Sequence, residues 1–306
     1  MNTTATEPEV LAATSAGSTP PRVSRRTVVG DLREIALEMR QSRDLLQQLT
    51  LRDIRIRYKQ ALFGFAWALL IPAAVVFSGL AVRVAFAYAS GKGLELAQIA
   101  GMAIKAVPWA FFVGCLNAGT QSLVANKGLV TKIYFPREVL PLSTILAQSF
   151  DSLIGFGLVV LILPFFNVTP SVQLLWVPLL LLMLWTLALA AALLLSCANL
   201  FFRDVKYLVQ VFLSFGIFIT PVIFEAHMFG PIGSRILMLN PVGPILEGLR
   251  LSVVQQQNLL DTVRAPAGFV YWHPMSLMYS AAWAFGGLLI AVIVFHRSER
   301  RFAEVV

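Results

Sequence analysis

Leu174–Ala198 reads LLWVPLLLLMLWTLALAAALLLSCA, a run of 25 residues without one charged side chain. At 1.5 Å of rise per residue, a helix of that length exceeds the roughly 30 Å hydrocarbon core of a bilayer. The run is continuously apolar and lacks the alternation that a lipid-exposed barrel strand needs, so it predicts a helix. Five further runs are comparable: Ala61–Val82, Ala97–Leu116, Leu142–Leu163, Leu208–Phe224 and Met275–Phe295. Leu208–Phe224 is the shortest, and Thr220-Pro221 within it predicts an irregular exit.

The composition agrees with this reading. Of 306 residues, 58% are hydrophobic and 13% charged, and the mean hydropathy is +0.75. That is about half the charge of a soluble domain, too little to cover a water-facing surface. Disordered, collagenous and disulfide-rich classes are excluded as well. Cys115 and Cys197 both lie in apolar stretches and read as small buried hydrophobes. Residues 1–30 are rich in Thr, Ser, Pro and Ala, lack the apolar core of a secretory signal, and read as a disordered cytoplasmic tail.

The net charge is +8, and its placement predicts orientation. Of the 24 Lys and Arg, 18 fall in 1–60, 125–141, 199–207 and 297–306. The positive-inside rule then puts both termini in the cytoplasm and makes the membrane, with no nucleic acid partner, the reason for the basic excess. On the opposite side, 225–275 is mostly apolar and contains Pro231, Pro241, Pro244 and Pro266 among several glycines. Such a segment reads as one or two re-entrant or interfacial helices whose backbone is covered by protein. Ahead of the first span, Asp31–Thr50 aligns Leu32, Ile35, Ala36, Met39, Leu46 and Leu49 on one face, interrupted at Ser42-Arg43. This predicts an amphipathic helix at the membrane interface. The expected fold is an all-α membrane protein: an interface helix and entry segment over 31–60, a six-helix transmembrane domain over 61–296 with re-entrant external helices between the fifth and sixth spans, and a cytoplasmic tail over 297–306.

Missing motifs exclude activities. The chain has no G-x-x-x-x-G-K-[ST], H-E-x-x-H or G-x-S-x-G, and no Cys/His cluster at metal spacing. No nucleotide site of the P-loop kind, no catalytic residue and no metal ligand are expected on it. His227, His273 and His296 read as interfacial or packing residues. Ionisable groups at membrane depth are costly and therefore candidates for function. Lys105 and Asp151 qualify, while Arg83 is expected to snorkel at the outer interface. Asp151, on its short stem, should find a donor in a cavity or on another helix. Without a second carboxylate beside it, an aspartyl protease is ruled out.

The remaining charge gathers at cytoplasmic span ends. Arg52-Asp53-Ile54-Arg55-Ile56-Arg57-Tyr58-Lys59-Gln60 leads into the first span, and Lys132-Ile133-Tyr134-Phe135-Pro136-Arg137-Glu138 joins the second to the third. Arg203-Asp204-Val205-Lys206-Tyr207 joins the fourth to the fifth. Mixed-sign pairs around an aromatic anchor suit docking onto a soluble subunit.

At these residues the chain resembles the membrane subunit of ABC-2 class ABC transporters, the permeases that export O-antigen, capsule or teichoic acid. The matching pieces begin with Arg52-Asp53 and Arg57-Tyr58-Lys59-Gln60, then Leu62, Gly64, Trp67 and Pro72. Pro108-Trp109 with Phe111-Phe112, Lys132 to Glu138 with Pro141, and Arg203 to Tyr207 follow in family order. Thr220-Pro221-Val222, Leu239-Asn240-Pro241 and Glu247-Gly248-Leu249-Arg250 complete the set.

The resemblance implies a homodimer of six-helix subunits in a bacterial inner membrane, with two copies of a separate ATPase. ATP and magnesium would then sit on that partner, leaving this chain without cofactor or enzymatic role. It makes Arg203, Asp204, Lys206 and Tyr207, with Lys132, Phe135 and Arg137, candidates for contact with the ATPase. The implied substrate is a lipid-linked polysaccharide. Aromatic rings suit a sliding glycan, which makes Trp67, Trp109, Phe111, Phe112, Phe212, Phe215 and Phe218 candidate channel residues, with plain helix packing as the alternative. Arg55, Arg57, Tyr58 and Lys59 are candidates to capture the phosphate of a lipid headgroup, or to anchor the chain in the membrane. The family usually has Gly where Lys105 stands, so a cation here adjoins the pathway. Export of a small lipid or drug is the neighbouring alternative, and a proton-coupled secondary transporter using Asp151 and Lys105 is a more distant one.

Overall fold

The computed structural model describes residues 28–59, 66–90, 93, 96–132 and 135–305. The tail up to residue 27, the motif residues Gln60, Leu62, Gly64, Ile133 and Tyr134, and the side chains of Leu32, Trp67 and Lys132 lie outside the described residues.

The first two helices, α1 (Val28–Gln41) and α2 (Arg43–Lys59), are separated by Ser42 alone. Backbone hydrogen bonds continue across it, from Ser42 to the Glu38 carbonyl and from Leu46 to the Ser42 carbonyl, both 2.9 Å. Next come α3 (Ala66–Ser90), α4 (Leu96–Ala125), the short α5 (Lys127–Lys132), α6 (Val139–Ile162), α7 (Trp176–Phe201) and α8 (Val205–Ile219). The chain ends with α9 (Gly230–Leu239), α10 (Val242–Val253), α11 (Pro274–Ala281), a π-helical turn over Ala282–Gly286, and α12 (Gly287–Val305).

Among the described residues, four segments are long and apolar enough to cross a bilayer: Leu96–Ala125, Val139–Phe166, Val172–Phe201 and Pro274–Glu299. The protein is a multi-span helical membrane protein. Counting the bent pair α9 and α10 as one span gives up to five. Two of the six expected spans correspond to shorter apolar stretches, Pro72–Ala85 within α3 and Val205–Ile219. Helix α8 stops early because Thr220 precedes a proline and adopts extended backbone, φ −109° and ψ 138°. Clash with the proline ring drives the preceding residue out of the helical region.

The segment read as external is more ordered than its prolines suggest. α9 and α10 meet at 117° across Asn240-Pro241, and every residue of α10 is buried. A small antiparallel hairpin of β1 (Val263–Arg264) and β2 (Val270–Trp272) follows, so the all-α expectation holds for the spans but not for this segment. Trp272, fully buried, donates its indole N–H to the Leu259 carbonyl at 3.1 Å. The bend requires Gly243, where an added Cβ would lie 2.5 Å from the Leu237 carbonyl oxygen. Gly243→Ala is therefore expected to lower stability by about 1–3 kcal/mol, the usual cost of overpacking, read as a lower thermal midpoint in detergent. An unchanged midpoint would show that the bend is free to open.

Among the described residues, two apolar cores organise the bundle. The larger joins α4, α7 and α10 with the hairpin, through Trp109, Leu184, Ile245, Leu249 and Trp272 among others. The smaller gathers Leu49, Leu123, Phe135, Leu140, Phe295 and Phe302 around the C-terminal half of α12. Helices α4 and α7 approach closely at Gly119, where an added Cβ would sit 2.5 Å from the Ala192 Cβ. Small residues allow such approach where no hydrophobic effect drives helices together.

Candidate functional site

Helix α2 ends against the middle of α6, and the contact is built around Asp151. Its carboxylate accepts hydrogen bonds from Arg57 Nη1 and from the Tyr58 hydroxyl. Arg57 also donates to Gln148 Oε1 at 2.9 Å, one turn earlier on α6. A carboxylate on an apolar helix must be charge-paired or neutralised, and here a guanidinium and a phenol supply the pairing. Burial, followed by the bond to Asp151, raises the Tyr58 pKa above the usual tyrosine range and keeps the phenol a donor. These groups border a cavity of about 440 Å³ with Pro72, Phe111, Asn117 and Ser152. Of the four proposed headgroup residues, Arg55 and Lys59 are exposed, whereas Arg57 and Tyr58 are already engaged within the chain.

A second charged cluster lies among α3, α4, α10 and the turn after α8. Arg250 on α10 binds Glu247 Oε1 through Nη2 at 2.5 Å and Nε at 3.0 Å. It also lies 3.3 Å from Glu225 Oε2 and donates to the Tyr271 hydroxyl at 3.2 Å. Arg83 on α3 pairs with Glu225 Oε1 at 3.2 Å, donates to Gln98 at 2.7 Å and reaches the Ile223 carbonyl. Lys105 on α4, fully buried, donates to the Phe224 carbonyl at 3.1 Å and lies 3.8 Å from Glu247 Oε2. Three cations thus share two carboxylates, with His227 Nδ1 3.4 Å from Glu225. The snorkelling expected of Arg83 is corrected: it is 5% exposed and turned inward. Its partner Glu225 stands 142 residues along the chain, beyond the reach of a local reading.

The loops read as docking surfaces divide into two kinds. Arg203 and Asp204 are exposed between α7 and α8. The Lys206 ammonium lies 4.6 Å from the Tyr207 ring centroid. Asn199, which sequence reasoning missed, steadies this turn by donating to the Thr120 carbonyl at 3.0 Å and accepting from the Lys206 N–H at 3.2 Å. By contrast, Phe135 is buried in the smaller core, and Arg137 donates to the Glu299 carbonyl at 2.6 Å beside the Phe302 ring. These two residues clamp the loop onto α12, with Phe135 buried and Arg137 partly exposed. Arg52 and Asp53 likewise serve the fold. Arg52 binds Asp53 and Asn126, each at 2.9 Å, and Asp53 accepts from the Ser143 hydroxyl. A mixed-sign pair in a loop is equally well satisfied by its own chain, which local sequence does not distinguish from docking.

The aromatic candidates also separate. Trp109 and Phe111 are buried within the chain, and Phe112 lies 6.1 Å from Trp109, centroid to centroid. Phe212, Phe215 and Phe218 are exposed along α8, at 79, 63 and 61%. An apolar groove of about 900 Å³, bordered by Phe212, Trp109, Phe112 and Trp283, runs between α8 and the α4–α7 pair. Among the described residues, one group of potential metal ligands converges: Glu138, His296 and Glu299.

Fold and site together define a multi-span helical membrane protein with two buried or part-buried clusters of opposed charges, an aromatic face on α8 and an exposed charged turn. No family model matches the chain. It is similar to two proteins from Klebsiella pneumoniae, each described as O-antigen export system permease protein RfbA and each 24% identical, over 268 and 269 residues. These alignments cover 86% of this chain and 95% of each relative. The protein of the same description from Myxococcus xanthus is 25% identical over 207 residues, 67% of this chain and 78% of that protein.

Proposed function

We propose that the chain is the membrane subunit of an ABC-2 class exporter, moving a lipid-linked cell-surface polysaccharide across a bacterial inner membrane. The similarity to O-antigen export permeases, nearly end to end, carries this reading. In it, α3 and α8 complete a six-span subunit with both termini in the cytoplasm, and α9 and α10 form the re-entrant pair. Two copies associate, and Phe212, Phe215 and Phe218 of α8 border the passage between them, where stacking on sugar faces lets the chain slide. Trp109 packs behind that face beside Gly216, whereas Phe111 borders the cavity next to Asp151. The cavity beside Asp151, with Arg55 and Lys59 at its approach, receives the phosphate of the lipid headgroup. ATP is hydrolysed by a separate subunit docked at Arg203 and Asp204, so this chain performs no catalysis and needs no cofactor of its own.

Deleting the gene is expected to abolish surface polysaccharide, and the protein should co-purify with an ATPase as a two-plus-two complex. Normal surface glycan in the deletion strain would overturn the reading. Within that complex, Arg203→Ala with Asp204→Ala is expected to lower ATPase stimulation about tenfold, the effect of roughly 1.4 kcal/mol of lost coupling. Unchanged stimulation would remove this turn from the interface.

A further inference from the structure

Glu138 immediately precedes α6, while His296 and Glu299 lie three residues apart on α12 and so share a helix face. One ligand atom from each lies within 4.8 Å of the others. His296 Nδ1 is 3.4 Å from Glu138 Oε1 and 3.8 Å from Glu299 Oε2. The second observation concerns Glu138 itself. It is 3% exposed, and among the described residues neither carboxylate oxygen has a hydrogen-bond partner. A buried carboxylate without donors is costly unless a cation stands against it.

We propose that Glu138, His296 and Glu299 form a zinc site that clasps the C-terminal half of α12 to the segment entering α6. With zinc–ligand distances of about 2.0–2.2 Å, tetrahedral ligands lie roughly 3.3–3.6 Å apart, close to the 3.4 and 3.8 Å between His296 Nδ1 and the two carboxylates. One imidazole and two carboxylates provide a borderline donor set with a fourth position open to water. Calcium wants more oxygens than three residues offer, and magnesium favours oxygen ligands. The surroundings orient the ligands. The Arg137 N–H donates to Glu299 Oε1 at 3.3 Å, which leaves Oε2 directed at His296. The Arg137 guanidinium, with Nε 3.9 Å from Glu299 Oε1, spends its hydrogen bonds on the Glu299 and Val130 carbonyls. This site revises the expectation of no metal ligands, and it stands whether or not the chain is a transport subunit.

The test uses the full chain in detergent, without a polyhistidine tag and stripped with EDTA. Titration with Zn²⁺ against a chromophoric chelator is expected to give one ion per chain. Co²⁺ should give d–d bands without a thiolate charge-transfer band, because Cys115 and Cys197 take no part. His296→Gln and Glu138→Gln are each expected to weaken binding by about 100-fold or more, since even supporting residues are worth 10–100-fold. Helical circular dichroism and elution volume establish that these variants are folded, and Glu299→Gln provides a third. Failure of the wild-type chain to bind stoichiometrically overturns the proposal, even if every variant misfolds. Binding that survives in a folded His296→Gln chain overturns it too.

Discussion

Glu247→Ala is expected to lower stability by about 3–5 kcal/mol, the cost of breaking a buried ion pair from one side. Glu247 is fully buried and is held by Arg250 at 2.5 Å and approached by Lys105 at 3.8 Å. Its removal leaves Lys105, among the described residues, with the Phe224 carbonyl as its hydrogen-bond partner and only the more remote charge of Glu225, which Arg250 keeps. Lys105→Met should cost less, because the long apolar side chain fills the space and Glu247 retains its tighter partner. The double substitution Lys105→Met with Glu247→Gln should recover part of the single Glu247 loss, as neutral groups of similar shape carry no unpaired charge. Thermal unfolding in detergent measures all three, with Glu247→Gln alone as the single that closes the cycle. Equal losses at Lys105 and Glu247, or strict additivity in the double variant, would show that the two charges do not interact.

Asp151→Leu carries the second large effect, on transport. The substitution removes the carboxylate that Arg57 and Tyr58 share, and leaves the end of α2 tied to α6 by the Arg57–Gln148 and Ser143–Asp53 hydrogen bonds. The stability loss should be smaller than at Glu247, about 1–3 kcal/mol, because the Arg57 side chain remains 33% exposed and water offsets part of the loss. Surface polysaccharide, in contrast, should fall to background if the cavity receives the headgroup. Asp151→Asn, which still accepts from Tyr58, should retain more stability but lose transport nearly as far. Normal export by a stable Asp151→Leu chain would leave the contact a structural joint and remove the cavity from the pathway.

How far these features were legible in the sequence depended on their range along the chain. Asp151 was marked as needing a donor because a carboxylate in an apolar run has no other way to persist, but its donor Arg57 is 94 residues away. The early end of α8 follows from Thr220-Pro221, a two-residue effect. Arg83 was misread because its distance from the start of the run suggested an interface, while Glu225 was invisible to that reasoning. Phe135 and Arg137 read as one displayed motif, yet Phe135 is buried against α12 and Arg137 is bonded to the Glu299 carbonyl on it. The zinc ligands on α12 had a signal, His and Glu three apart, but their third partner comes from the entry to α6.

Hydropathy, proline and basic asymmetry act over a few to twenty residues, so the sequence alone determined the helical membrane class, the break after α8 and the expectation that buried charge needs partners. Tertiary structure alone decided which partners they are. In a medium of low dielectric every buried ion must be answered, but by whichever side chain the packing brings within about 4 Å, and that depends on the whole bundle.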